Sequence, residues 1–453
     1  MKNYDLVIVG AGSGNMLPSI ETEGWRIAIV ESDRFGGTCL NRGCIPSKIF
    51  VYTADIAESI GHAARFGITA GVSAVDWPAI RDRVFARIDP IHQQGVDHRR
   101  RTGVDVYLGS AHFVDRKIID VDGEVITGER IVVAAGSRPF VPDIPGLDTV
   151  PHHTSDTIMR IDALPSSMLA VGGGFISAEM SHIFGSLGTR ITIAHRGKNL
   201  LSVNDEDISR RFTDVYAKRF DVRLGTIVES VRPNGNGLIA RLRSADGQVT
   251  ELAVDTMLLA AGRIPNTDIL DATRGGLDLD EHGHIATDDT YLTSVPGVWA
   301  LGDVTNHFQL KHMANAETRV IRRNLLAPES PQKAACPLVP AAVFADPQVA
   351  SVGMTEAQAR ATGKPYLSAV RDYSTTAYGW ALEDTTSFAK VIADPETRLL
   401  LGAHIMGPQA ATLIQPLIQA MTFGNTIDQL AHDVLYIHPA LTEVIENVLL
   451  DLR

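Results

Sequence analysis

The chain has 453 residues, 45% of them hydrophobic, a length that suits about three domains with substantial cores. Its 53 acidic side chains outnumber 41 basic ones, for a net charge of −12, and no dense Lys/Arg patch offsets this, which argues against nucleic acid as the main partner. Three cysteines are too few for a secreted disulfide scaffold, no run approaches the roughly 20 apolar residues of a membrane span, and the first apolar run is too short for a signal peptide, so a soluble cytoplasmic protein is expected.

Residues 6–9 are a short apolar run of the kind that forms a buried parallel strand. Gly10-Ala11-Gly12-Ser13-Gly14-Asn15 follows at once, and residues 26–30 read as a second strand ending at Glu31. Glu31 lies near the spacing of about 20 residues between the first glycine and the ribose-binding acid of a dinucleotide fold. Asn15 stands where the fingerprint has Gly or Ala. The strand before it and the acid after it still predict a βαβ unit that takes an unphosphorylated adenosine ribose.

Gly36-Gly37-Thr38-Cys39-Leu40-Asn41-Arg42-Gly43-Cys44-Ile45-Pro46-Ser47-Lys48 comes next. Cys39 and Cys44 are close enough to form a small-ring disulfide if the backbone turns correctly. The alternative is two packed, inert side chains, but the position just after a dinucleotide fold favours a disulfide opened and closed for work. Pro46 predicts a helix start whose positive end favours a thiolate at Cys44. Arg99-Arg100-Arg101 reads as a solvated helix end.

Residues 131–136 read as a strand entering a glycine turn, and the prolines at 139, 142 and 145 suggest a connection between domains. A second fingerprint, Gly172-Gly173-Gly174-Phe175-Ile176-Ser177-Ala178-Glu179, follows an apolar run at 168–171 and precedes a strand at 190–194. Two dinucleotide folds in one chain are far more specific than one. After the second strand come His195 and Arg196, with Lys198 near, where an acid would repel a ribose 2′-phosphate and cations attract it. The second copy therefore reads as NADPH-preferring, unless these cations only solvate a loop. Residues 257–261, 298–303, 342–344, 349–352 and 389–392 read as strands, and 410–423 as one apolar-faced helix in an α+β terminal domain.

Together with Ala261-Gly262-Arg263, Ala300-Leu301-Gly302-Asp303 and His438-Pro439-Ala440-Leu441-Thr442-Glu443, these motifs resemble the pyridine nucleotide–disulfide oxidoreductases, the flavoenzyme family of glutathione reductase and lipoamide dehydrogenase. The resemblance covers the whole chain. It implies an α/β fold with two Rossmann-like domains and a C-terminal α+β dimerisation domain. The expected boundaries are 1–146 and 268–332 for FAD, 147–267 for NADPH, and 333–453 for the interface. The phrases Leu310-Lys311-His312-Met313-Ala314-Asn315-Ala316-Glu317 and Ala377-Tyr378-Gly379-Trp380-Ala381-Leu382-Glu383-Asp384-Thr385 look like the branch that reduces mycothione, a symmetric low-molecular-weight disulfide.

The resemblance further implies a homodimer with a composite active site. Cys44 lies against the flavin, Cys39 attacks the substrate, and His438, oriented by Glu443, is the acid–base group, supplied by the partner subunit. Lys48 and Glu179 form an ion pair beside the flavin. The residues placed at the cofactors FAD and NADPH are Gly10, Gly12, Gly14, Asn15, Glu31, Gly37, Thr38, Lys48, Ala111, Ala135, Gly136, Gly172, Gly174, Phe175, Ile176, Glu179, His195, Arg196, Gly262, Arg263, Asp303 and Lys311. Phe175 reads as a gate over the nicotinamide or as core packing, and Lys48 alternatively as a helix-surface lysine. Ser177 and Ser202 depart from the family pattern, the latter where glutathione-type enzymes often place a second arginine. Cys336 reads as structural. Lipoamide dehydrogenase, a low-turnover flavin sensor and a mercuric reductase are the competing readings. His195-Arg196 argues against the first, the complete Cys39, Cys44, His438 and Glu443 set against the second, and the lack of an added C-terminal cysteine pair against the third.

Overall fold

The computed structural model describes residues 1–334 and 338–452, so Cys336 lies outside the described residues. The chain forms two compact units, each assembled from three stretches of sequence. The first comprises Met1–Ser47, Ala79–Phe140 and Gly262–Pro337, and the second Lys48–Pro78, Val141–Ala261 and Leu338–Arg453.

The first unit is built on a sheet in the order Asp105–Leu108, Ile27–Glu31, Lys2–Val9, Glu124–Val133, Ile118–Val121, Ala111–Asp115, with Val298–Ala300 also pairing with Glu124–Val133. Val9 lies beside Val30 on one side and Val133 on the other, in parallel register. Val7 and Val9 enter one core with Phe113, Ile131 and Val298, while Leu6 and Ile8 enter another with Phe35, Val96 and Ile321. Burial on both faces explains why the run is apolar without alternation, and each such side chain contributes about 1.5–3 kcal/mol.

The helix expected after the first glycine fingerprint does not form. Residues 10–26 contain two 3-10 turns, Gly14–Met16 and Ile20–Thr22. Pro18 has no N–H to continue a helical ladder, and its ring crowds the preceding turn. Gly24, at φ +85°, then turns the chain back toward Ile27–Glu31.

In the second unit a fully parallel sheet runs Asp221–Leu224, Arg190–His195, Ser167–Val171, Thr256–Leu259, His152–Thr154. Here a true helix, Phe175–Ser186, joins the first strand of the second fingerprint to Arg190–His195. The C-terminal part is a five-stranded antiparallel sheet. Its Leu400, Ala403 and Ile405 share a core with Leu417, Val444 and Val448. The single helix expected over 410–423 is two, Ala410–Leu413 and Gln415–Phe423, with a proline in the first turn of the second. The buried ammonium of Lys390 donates to Asp205 (2.8 Å), Asp207 (2.7 Å) and Glu356 (2.6 Å). Burial opposes its charge, but the three carboxylates hold its pKa above the usual lysine value. Among the described residues no helix is long and apolar enough to cross a membrane.

Candidate active site

The dithiol lies in the first unit at a junction of two helices. Cys39 sits in the short helix Gly37–Arg42, with Thr38 before it, and Cys44 is the first residue of the 19-residue helix Cys44–His62. The long helix thus starts two residues earlier than Pro46 suggests, which brings its positive end onto Cys44 itself. Both cysteines carry thiols, Cys39 half-buried and Cys44 exposed. The hydrogen bond from the Cys39 thiol to Cys44, reinforced by burial and by charge on Cys44, raises the Cys39 pKa, against a smaller opposing pull from Lys311. The Cys39 thiol thus points its hydrogen bond at the Cys44 sulfur and is harder to ionise than a free thiol. Asn41, a buried residue to which sequence reasoning gives no role, donates to the carbonyls of Arg34, Phe35 and Gly37 and fixes the turn that leads into the pair.

The first glycine loop lies in the same unit. Gly10 has φ +107°, and a Cβ there would stand 2.2 Å from the Ala134 carbonyl oxygen. Gly14, not residue 15, makes the close approach to the sheet, since a Cβ on it would meet Ile8 and Ala134 at 2.8 and 2.9 Å. Asn15 is thereby free to carry a side chain. Glu31 accepts from the Ala11 N–H (2.8 Å) and the Asp33 N–H (3.1 Å), and burial raises its pKa. A carboxylate has capacity for further donors, so Glu31 can still take ribose hydroxyls. The glycine cradle and this acid fit an adenosine diphosphate group.

Asp303 accepts from Ser137 Oγ (2.7 Å). Arg263 donates from Nε to Ser137 Oγ (2.9 Å) and from its terminal nitrogen to the Ser137 carbonyl (2.7 Å), and so fixes that serine. The Gly262 carbonyl accepts from Phe140 N–H, and those of Ala135 and Gly136 accept from the Asn266 side chain and backbone. Ala111 is a buried residue that begins a strand of the main sheet. Lys311 begins the helix Lys311–Leu326 and donates through Nζ to Ser13 Oγ (2.9 Å). Burial lowers its pKa, against the raising pull of Cys39, Cys44 and Asp303. The Lys311 ammonium thus lies in the field of the dithiol.

The second glycine loop, in the second unit, ends in a helix N-terminus. Gly172 has φ +127°, with a Cβ position 2.1 Å from the Ala260 carbonyl. Gly174 caps Phe175–Ser186 without a side-chain hydrogen bond, leaving N–H groups for a phosphate, with Ile176 in the first turn. Phe175 is 46% exposed. His195 differs from expectation. Its ring lies where a Cβ on Gly173 would meet it at 2.5 Å, and burial lowers its pKa, so it adds no positive charge near neutral pH. Arg196 and Lys198 are exposed, and neither makes an ion pair among the described residues.

Two further pairs lie in the second unit. Lys48 donates to Glu179 (3.0 Å), whose same oxygen accepts from the Phe344 N–H (2.9 Å), and the ammonium stands 3.7 Å from the centre of the Phe344 ring. Phe344 has no sequence motif to reveal it. His438 Nδ1 lies 2.6 Å from Glu443 Oε1, at the first residue of the helix Glu443–Leu450. The His438 side chain is 73% exposed, and the stretch before it exposes Leu435 and Ile437.

Residues 4–318 match the family model for pyridine nucleotide-disulphide oxidoreductases, and residues 339–449 match that family's dimerisation domain. The chain belongs to this family. It is 46% identical to a mycothione reductase of Mycobacterium tuberculosis, over 100% of both chains. It is 31% identical to a glutathione reductase of Burkholderia cepacia, over 97% of each. Its fold matches the HOCl-induced flavoprotein disulfide reductase RclA from Escherichia coli, in a Cu(II) complex, with TM-score 0.88 and 27% identity over 100% of both chains. As a pyridine nucleotide–disulfide oxidoreductase the protein is a flavin-dependent disulfide reductase that uses FAD and a pyridine nucleotide.

Proposed function

We propose that the protein reduces mycothione with NADPH, as a cytoplasmic homodimer, with residues 147–267 taking the nucleotide. The dithiol geometry carries the reductase chemistry: a half-buried Cys39 thiol hydrogen-bonded to a Cys44 that opens a long helix. The substrate is the one named for the relative that is 46% identical over both full lengths. FAD, when bound in the first glycine cradle, supplies the two-electron relay between nicotinamide and sulfur.

The side chains divide the remaining work. Lys48, held by Glu179, offers a cation for charge that builds on the reduced cofactor. Cys39, with its raised pKa, needs a base to become a nucleophile at neutral pH. His438 has Nδ1 engaged by Glu443, which leaves Nε2 to take that proton. The Cys39 thiolate then attacks one sulfur of the substrate disulfide, forms a mixed disulfide and expels the first thiolate, which takes the proton from His438. Cys44 gives up its proton to water and attacks Cys39, closing the Cys39–Cys44 disulfide and expelling the second thiolate, which takes up a proton from water. The two electrons come from the dithiol. The exposed His438 and the apolar Leu435 and Ile437 beside it support service to the dithiol of a second subunit, in keeping with the dimerisation domain matched by residues 339–449.

The test is NADPH oxidation by the purified protein with mycothione, glutathione disulfide and lipoamide in parallel. Mycothione is expected to give the highest kcat/KM, and a higher value with either other disulfide rejects the assignment. Cys39→Ser is expected to lower mycothione turnover by at least about a thousandfold while flavin bleaching by NADPH persists. Normal turnover in that variant would overturn the role of Cys39.

A further inference from the structure

We propose that Arg99 and Arg322 are positioning residues for FAD, holding the first glycine loop in a shape that an α-helix would otherwise impose. The inference rests on the reading of residues 10–31 as the FAD cradle.

In a helix that followed Gly14, the carbonyls of Asn15, Met16 and Pro18 would accept from N–H groups four residues on. Here the 3-10 turn ends at Met16 and those donors are gone. Two guanidinium groups take their place. Arg99, from the end of the helix Trp77–Arg101, donates from Nε to Asn15 Oδ1 (2.7 Å), from Nη2 to the Asn15 carbonyl and from Nη1 to the Pro18 carbonyl (3.4 Å). Arg322, from the helix Lys311–Leu326, donates to the Met16 carbonyl. The fork of an arginine suits this task, because one rigid plane can meet several acceptors.

The charges fit the same role. Among the described residues neither guanidinium is paired with a carboxylate, and Arg322 Nε is buried without an acceptor. Burial and the charge of Arg322 both lower the pKa of Arg99, so the two cations oppose each other. The two guanidinium groups supply the positive field that a helix N-terminus would have provided, and a pyrophosphate on this loop is the anion that relieves their repulsion. The arrangement also accounts for Asn15 in the fingerprint. With no helix to pack at that position, its side chain serves as an acceptor for Arg99. The end of the Arg99–Arg101 run is thus only partly a solvated one: Arg100 and Arg101 are exposed, while Arg99 is half-buried on the loop.

The experiment is titration of the full-length apoprotein with FAD, followed by flavin fluorescence, alongside thermal melting of the same apoprotein. Arg99→Ala is expected to weaken FAD binding about tenfold or more, as loss of charge-assisted hydrogen bonds does. Arg322→Ala should weaken it less, and Arg99→Lys should recover part of the loss. Asn15→Ala combined with Arg99→Ala should cost less than the two separate losses together, because both remove one contact. Melting of the apoprotein should shift by only a few degrees. FAD affinity within twofold of wild type in Arg99→Ala overturns the proposal. Should Arg99→Ala fail to fold, Arg99→Lys and Asn15→Ala decide it: weaker binding by either supports it, and wild-type affinity in both overturns it. Failure of the wild-type apoprotein to bind FAD would instead overturn the cradle reading, and this proposal with it.

Discussion

The two glycine loops of this chain solve one problem by different means. Both leave a parallel strand through a glycine at strongly positive φ, Gly10 and Gly172, and both press that glycine against a backbone carbonyl, Ala134 or Ala260. After that they part. The second loop runs into Phe175–Ser186, so aligned backbone N–H groups and a helix dipole await a phosphate. The first runs into short 3-10 turns instead, and side chains from distant stretches of sequence bond to it: Arg99, Arg322 and Lys311. A dinucleotide cradle needs a shaped loop and a positive field, and an α-helix is one of two ways to supply them.

The largest effect that separates the two loops comes from a single methyl group. Gly10→Ala puts a Cβ about 2 Å from a carbonyl oxygen at a φ that disfavours side chains. The expected result is a colourless protein, with FAD affinity down by roughly a thousandfold or more, equivalent to about 4 kcal/mol. Gly172→Ala makes the same clash in the second unit and should give a yellow protein whose flavin NADPH no longer bleaches. Absorption spectra of both purified variants check this. Flavin loss from both, or from neither, would break the assignment of separate cofactors to separate loops.

What the sequence disclosed follows the same division. Strands announced themselves as apolar runs because both sheet faces are buried, as Leu6 and Val7 show by entering opposite cores. Motif residues that touch near neighbours were legible: the Cys39–Cys44 hydrogen bond, the Gly174 cap and the His438–Glu443 contact all lie within short stretches. Pro18, which lacks the N–H a helix needs, marked the absent first helix as well. Arg99 on Asn15 and Phe344 on Glu179 were not, because each joins residues far apart in sequence with no local pattern to mark them. His195 misled for a related reason. Its place in the sequence suggests a cation, but burial under Gly173 keeps it neutral, and burial is a tertiary property.

The first unit should also respond to pH through a buried carboxyl. Glu317 is buried in the first unit, accepts from Gly302 N–H (2.6 Å) and Asn306 Nδ2 (2.9 Å), and has its pKa raised to about 7. Burial is the main cause, and the neighbouring charge of Asp303 adds to it. A carboxyl that ionises near 7 when folded but near 4.5 when unfolded binds more protons in the folded state between those values. Its contribution is therefore fully present below pH 4.5 and is lost as pH rises through 7. The span is worth roughly 3 kcal/mol at 1.36 kcal/mol per pH unit. Urea unfolding of wild type and Glu317→Gln across this range should show the wild type losing stability relative to the variant, with a plateau above pH 7. A constant difference between the two would remove Glu317 as the source.

The smallest effect tests the second loop at its rim. On the proposed NADPH reading, the 2′-phosphate falls to Arg196, helped by Lys198, both exposed. Exposed charges act through solvent and are screened by salt, so neither residue can impose an absolute choice. Arg196→Glu reverses one charge and places an acid where nucleotide folds that favour a free ribose hydroxyl keep theirs. The ratio of kcat/KM for NADPH over NADH should fall by about tenfold at low ionic strength, and by less in 0.5 M salt, where the Debye length has shrunk to roughly 4 Å. FAD content should not change, because the substitution lies in the second loop. An unaltered nucleotide ratio at low salt would move the 2′-phosphate site away from Arg196. A lost flavin would instead mean that the two loops do not act on separate cofactors, and the comparison drawn from their geometry would fail.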